Sequence, residues 1–325
     1  MATNYMQHKG WKALLKKLIN EHNKQHSVRN KVVGVETQRN RADILFQAFA
    51  QLRLLGYKIE NPHNFQERHF KALLKFWLDE NLSASTIQKR ASIFRTFSAW
   101  IGKGNMIMEL EHYVEDKKRV ARDQVARVDK SWSAQGVSAK DILKQMGEYD
   151  VRLLAQMSMI SAFGLRKQEA ICFKPRRAIA LGEHSNSILI EFGTKGGRVR
   201  SIAIDSNEQR QALQLAVNIA KRFEDHIGWE GLSLKQAINR FSYMMLKFGV
   251  TNKELGVTAH GLRHEDFNDV YEEITGQPSP VRGGIKGNVN PELDRKARII
   301  ITNRAGHSRL GVASSYFGSF YTKQE

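Results

Sequence analysis

The apolar rhythm of this chain is helical along most of its length and changes once. Ile188, Ile190 and Phe192 alternate, Gly196-Gly197 supplies a turn, and Val199, Ser201 and Ala203 alternate against Arg200, Ile202 and Ile204. Period-two alternation on both sides of a glycine pair predicts a β-hairpin, here with basic residues at its tip. The segments around it read as helices. The fold class expected is therefore mainly α with a small antiparallel β-sheet.

A helix is expected from about Trp11 to His22. Thr37 is placed to cap a second, which carries Ile44, Leu45, Ala48, Phe49, Leu52 and Leu55 inward and ends before Gly56. A third begins near Ser85 and sets Ile87, Ala91, Phe94, Phe97 and Ile101 on one face, with Gly102 or Gly104 as its end. Beyond Glu109 the rhythm fades and Lys117, Lys118, Arg119, Arg122, Arg127 and Lys130 crowd in, so 109–133 reads as a basic linker. The division expected is a helical domain over 1–130 and a second domain over 131–325, in line with roughly 100 to 200 residues per domain. The second domain opens with a helical stretch near Ser138 that runs through Leu153, Leu154, Met157 and Ile160 to Gly164. After the hairpin, Ser206 and Gln209 form a capping box for a helix bearing Ala212, Leu213, Ala216 and Ile219. Met157, Met159, Met244 and Met245 read as core filler.

Fifty-one Lys and Arg oppose 33 Asp and Glu in 325 residues, a formal charge of +18 and a pI near 9.9. Residues 1–130 hold 24 basic and 13 acidic side chains, and the rest 27 and 20, so the excess is spread along the chain. A polyanion is the expected partner, nucleic acid first. No apolar run reaches the roughly 18 residues of a spanning helix. The start, Met1 to Lys17, is charged and amphipathic without a signal-peptide core. The single cysteine, Cys172, leaves no internal disulfide and no Cys-based zinc site. Together these readings give a soluble, cytosolic protein with no membrane partner.

Four segments carry residues suited to a phosphodiester. In Thr258-Ala-His-Gly-Leu-Arg-His-Glu, Arg263 continues the stripe of Phe267, Val270 and Ile274, and a guanidinium facing a core needs an anion. His260 lies one turn earlier, so the two can converge on one phosphate. An internal partner such as Asp266 or Glu265 is the plainer explanation of the arginine while this segment is taken alone. Arg166 in Phe163-Gly-Leu-Arg-Lys-Gln-Glu-Ala also sits among apolar neighbours, and Glu169 reads as a helix-starting or arginine-orienting group. Two planar forks suit the charged oxygens of a phosphorane. Lys195 precedes the Gly-Gly turn. In Ala305-Gly-His-Ser, Gly306 permits a close backbone, His307 can donate to phosphate, and Tyr316 offers a hydroxyl nine residues on.

Gly-Leu-Arg-x-x-Glu, a hairpin Thr-Lys-Gly-Gly, His-x-Leu-Arg-His and Gly-His-Ser followed by Tyr316 resemble, in content and order, the motifs of the tyrosine recombinases, the phage-integrase family. The matched motifs span roughly 150–318, and the helical N-terminal part is similar to the family's core-binding domain. The resemblance implies a two-domain C-shaped DNA clamp in which Arg166 and Arg263 hold the scissile phosphate and His260 and His307 complete its hydrogen bonds. Tyr316 would be the nucleophile, Lys195 the general acid, and no metal or other cofactor is implied. Double-stranded DNA would be the partner, bound by a homotetramer on two sites, with room for accessory DNA-bending proteins and a place at the nucleoid when bound. Lys89, Arg95, Lys117, Lys118, Arg119, Arg198 and Arg200 are the expected DNA contacts.

The chain departs from the family pattern in the long interval between Arg263 and His307, where Thr275 to Arg298, rich in Pro and Gly, reads as a loop insertion, and in the short tail after Tyr316. Tyr321 is a competing phenol with the wrong spacing. The same chemistry would serve a type IB topoisomerase-like nicking and closing enzyme, and the same fold a DNA-binding regulator without catalysis. The Gly-His-Ser segment and the helical first domain favour the recombinase over the former. Retention of all six candidate residues argues against the latter.

Overall fold

A computed structural model describes residues 10–25, 32–184 and 186–321. The opening segment that was expected to lack a signal-peptide core lies outside the described residues up to position 9. The chain forms two compact units, Met1–Asp123 and Gln124–Glu325. No helix among the described residues is long and apolar enough to cross a membrane.

Among the described residues the first unit has four α-helices, α1 (Trp11–His22), α2 (Val35–Leu54), α3 (Glu67–Asp79) and α4 (Ala84–Trp100). Their apolar faces meet in an aromatic core, in which Phe65 stacks on Phe94 at 5.1 Å and Phe49 meets Phe97 edge-on at 5.6 Å. The α2 start lies ahead of Thr37, because the Gly34 carbonyl already accepts from the amides of Thr37 and Gln38. The Ser83 side chain caps α4 by accepting from the Thr86 amide. Within the charged stretch read as a linker, Leu110 and Val120 are fully buried in this core, and the Val120 carbonyl accepts from Gln88. The chain is thus tied to the first unit as far as Val120.

The second unit continues with α5 (Ala139–Tyr149), α6 (Val151–Phe163), α7 (Lys167–Ile171) and α8 (Pro175–Ala180). One helix was expected across α5 and α6, but Asp150 is extended and divides them. Its carboxylate caps α6 at the amides of Arg152 and Leu153 and also takes Trp229 Nε1 (2.8 Å) and Arg240 (3.0 Å). The hairpin forms as expected, with β1 (Ser187–Ile190) antiparallel to β2 (Arg200–Ala203) and Ile188 opposite Ile202. The Ser206–Gln209 capping box opens α9 (Asn207–Ile219), and α10 (Leu234–Lys247) follows. Met157, Met159, Met244 and Met245 fill the core around α6.

Then come α11 (Ala259–Thr275), α12 (Pro291–Arg304) and the single-turn α13 (Ser314–Phe317). The segment Thr275 to Arg298 was expected to be a loop. Its latter part is instead the start of α12, which Asn290 caps from the amides of Glu292 and Leu293 with Pro291 in the first turn. A second, smaller core joins α11, α12 and α13 through Phe267, Tyr271, Ile301 and Phe317.

Candidate active site

Arg263 occupies the inward face of α11, fully buried together with His264, Phe267, Asn268 and Tyr271, while Val270 and Ile274 flank that face half-buried. Neither carboxylate that could have neutralised it does so. Asp266 pairs with Arg304 at 2.6 Å, and Glu265 accepts from the Trp132 amide. The guanidinium instead donates to the carbonyls of Gly164 and Ala305 and to the Tyr316 hydroxyl, at 3.3 Å from Nε and 3.2 Å from Nη2. Burial lowers its pKa to about 10, with Tyr316 opposing and Arg166 adding to the shift, so it remains a cation at neutral pH.

Arg166 begins α7 directly after the Gly164 turn that ends α6, and its side chain crosses to the same carbonyl of Ala305 at 2.7 Å. Two guanidinium groups thus converge on one point. The orienting group is Glu169, fully buried, which accepts from Arg166 N and Nη1 (2.8 Å each) and from both Nη atoms of Arg200 (2.9 and 2.8 Å). Burial alone would raise the Glu169 carboxyl, but hydrogen bonds and charge from Arg200 and then Arg166 hold it down at about 2. Two guanidinium groups therefore hold one carboxylate, and with Arg263 beside them the surplus positive charge is suited to an anion.

The segment after α12 closes the pocket. Gly306 has φ +70°, and a Cβ there would lie 3.3 Å from Arg200 and 3.6 Å from Arg166, so a glycine lets the backbone reach the two arginines. His307 follows, with Nε2 3.4 Å from Arg166 Nη2 and 3.2 Å from the Tyr316 hydroxyl. Burial, then Arg166, Arg263, Lys195 and Arg200, push its pKa to about 4, which leaves a neutral imidazole able to donate one hydrogen bond. His260 stands exposed at the rim, with its ring 6.1 Å from that of Tyr316. The atoms packed round it, then the charges of His264, Arg263 and Arg166, hold it below the usual histidine range.

Tyr316 is itself buried, edge-on to Phe267 at 4.8 Å, on α13. The structure thus brings together Arg166, His260, Arg263, His307 and Tyr316. Lys195 is exposed on the hairpin turn, and among the described residues its ammonium makes no hydrogen bond, although its charge is felt at His307. Tyr321 is exposed, near Lys286.

Of the expected DNA contacts, Lys89, Lys117, Lys118, Arg119 and Arg198 are exposed. Arg119 also donates to the Leu78 carbonyl, and Arg95 is half-buried against Glu109 and the Met108 carbonyl. Arg200 overturns its expectation. It lies on the inward face of β2, buried, with its two Nη atoms on Glu169 and its Nε on the Arg304 carbonyl, so its charge is matched inside the protein and is not presented to a surface phosphate. The alternation of Arg200 with Ile202 and Ile204 carried that signal. His264 was not singled out, yet it is buried beside the tyrosine, its Nδ1 3.3 Å from the Tyr316 carbonyl, and burial pushes its pKa to about 4.

A family model described as integrase matches residues 126–268, and one described as phage integrase, N-terminal, matches 29–107, which together take in more than half of the chain. No curated protein matches the sequence. Among solved structures, a lambda integrase dimer bound to a COC′ core site aligns over 95% of this chain and 98% of its own at 15% identity, with a TM-score of 0.57. A lambda integrase tetramer bound to a Holliday junction covers 96% and 80% at 15% identity and 0.56. The Tn1549 transposon integrase in complex with transposon right end DNA covers 95% and 96% at 13% identity and 0.54. At such identities the likeness shows the fold, and the two sequence models reach both units. The chain belongs to the tyrosine recombinase family, the phage integrases.

Proposed function

We propose that this site-specific recombinase cuts and rejoins DNA through a 3′-phosphotyrosyl intermediate formed on Tyr316, in the service of a mobile element. The observation that carries the reading is the Tyr316 hydroxyl, within hydrogen-bond distance of both Arg263 and His307 in a pocket with surplus positive charge. Arg166 and Arg263 would hold the nonbridging oxygens of the scissile phosphate, with donors from His260 and His307. The phenol gives up its proton to solvent and its oxygen bonds to phosphorus as the bond to the 5′ oxygen breaks, and that oxygen takes a proton from Lys195 and leaves as a hydroxyl. A 5′-hydroxyl of a second strand reverses the step and exchanges strands, because the phosphodiester energy is kept in the tyrosyl bond. Lys195 stands on the exposed hairpin turn, near enough for its charge to be felt at His307.

The dimer and tetramer of lambda integrase on DNA support a homotetramer acting on two duplex sites here as well. Lys89, Lys117, Lys118, Arg119 and Arg198 would contact the backbone. The test is a nicked suicide duplex, from which the short fragment that carries the freed 5′-hydroxyl diffuses away after cleavage. Wild-type protein should accumulate as a covalent complex. Tyr316→Phe, which removes only the hydroxyl, should bind the duplex with unchanged affinity and form none. A covalent complex with Tyr316→Phe would refute the assignment.

A further inference from the structure

The tyrosine sits on a helix of one turn, Ser314–Phe317. So short a helix does not hold its own geometry, since one turn fixes several dihedrals for little hydrogen bonding. Its position is set by what packs around it. On one side the Ser314 carbonyl accepts from the Ala126 amide at 2.8 Å, and Arg298 donates to the Ser314 hydroxyl at 2.9 Å. On another lies the turn Pro280–Arg282, whose Val281 packs into the small core with Tyr316 and Phe317. The contact extends to Gly318, where a Cβ would come within 3.1 Å of both Pro280 and Val281 and 3.2 Å of the Ala126 carbonyl.

That turn is fastened from behind by one side chain. Arg282 pairs with Asp129 (3.2 Å), Asp269 (2.6 Å) and Glu272 (3.2 Å), and donates to the Ser131 hydroxyl at 3.3 Å. It is 17% exposed, and its charge is matched by three carboxylates, so it is a poor candidate for a DNA phosphate. Its partners lie on two separate pieces of chain, the irregular stretch at 129–131 near the start of the second unit and the middle of α11. The α11 partners lie on the helix that carries Arg263.

We propose that Arg282 is a positioning residue for Tyr316: through the Pro280–Arg282 turn it locks α13 against α11, so that the phenol meets Arg263 and His307 in register. This rests on the reading of Tyr316 as the nucleophile. A displacement of about 1 Å in a reacting group can cost on the order of 10²-fold in rate.

The test is Arg282→Ala, read by two measurements on the full chain. Single-turnover cleavage of the suicide duplex at saturating DNA should slow by roughly 10- to 100-fold with DNA affinity unchanged. Hydrogen exchange at the backbone amides of 313–318 should quicken, while those of 262–268 in α11 keep their protection. Arg282→Lys, which keeps the charge but loses the fork, should fall between the two proteins in both measurements, and it replaces Arg282→Ala if that variant does not fold. Cleavage at the wild-type rate would overturn the proposal, as would slower cleavage with unchanged exchange at 313–318. Absence of any tyrosyl adduct from the wild-type protein would instead count against the function assigned to Tyr316, and the exchange measurement would still decide whether Arg282 holds α13.

Discussion

Two arginines two positions apart on the hairpin have opposite fates. Arg198 is exposed at the tip, while Arg200 is buried on Glu169. Arg198→Ala should leave stability within about 0.5 kcal/mol of wild type and lower the slope of log K against log salt by about 1. Arg200→Ala breaks a buried pair and should cost about 3 kcal/mol in denaturant unfolding. Equal effects on stability would contradict the geometry. His307 gives a pH signature. Its folded pKa of about 4 lies below the ordinary 6.5, so the unfolded chain binds the extra proton between those values. The stability it contributes is complete above about pH 6.5 and is lost as the pH falls towards 4. Because the ring is half-open to solvent, the loss at pH 5 should be no more than about 1 kcal/mol. Unfolding curves at pH 7 and pH 5 should show wild type losing more stability than His307→Gln, and a larger loss in the variant would contradict the neutral imidazole. The motif residues themselves were legible because each chemical need selects a residue type. The partner of a buried arginine was not, since Arg200 and Glu169 are 31 positions apart and meet only through the fold.

At the scale of elements, the hairpin, α1, α4 and α9 were readable from period and capping residues. What escaped depended on contacts distant in sequence. Asp150 divides α5 from α6 because Trp229 and Arg240 hold its carboxylate, and nothing local announces them. The start of α12 was hidden in a segment whose prolines and glycines suggested only loop, although Asn290-Pro291 is itself a helix-starting pair. Helix α10 carries the same capping-box signal, Ser233 and Gln236, that identified α9. The hairpin is also where the general acid is expected. Lys195→Ala should slow cleavage by roughly 10² to 10⁴-fold. A 5′-bridging phosphorothiolate, whose sulfur leaves without a proton, should recover most of that rate. Without rescue, Lys195 would be a DNA-positioning cation only.

On the scale of the whole molecule, the basic excess extends over both units, +10 in residues 1–123 and +8 beyond, as suits a protein that contacts DNA along its length. The division of labour follows from what each unit contains. The first is a closed aromatic core with exposed lysines, whereas the second holds the anion-seeking pocket. The integrase model ends at residue 268, before His307 and Tyr316, so their place in the site rests on the fold that carries them back to Arg263. The most direct test of the central claim is to digest the covalent protein–DNA complex formed on a suicide duplex and map the modified residue by mass spectrometry. The account predicts a 3′-phosphate ester on Tyr316 and none elsewhere. An adduct on Tyr321, or on any serine, would contradict it.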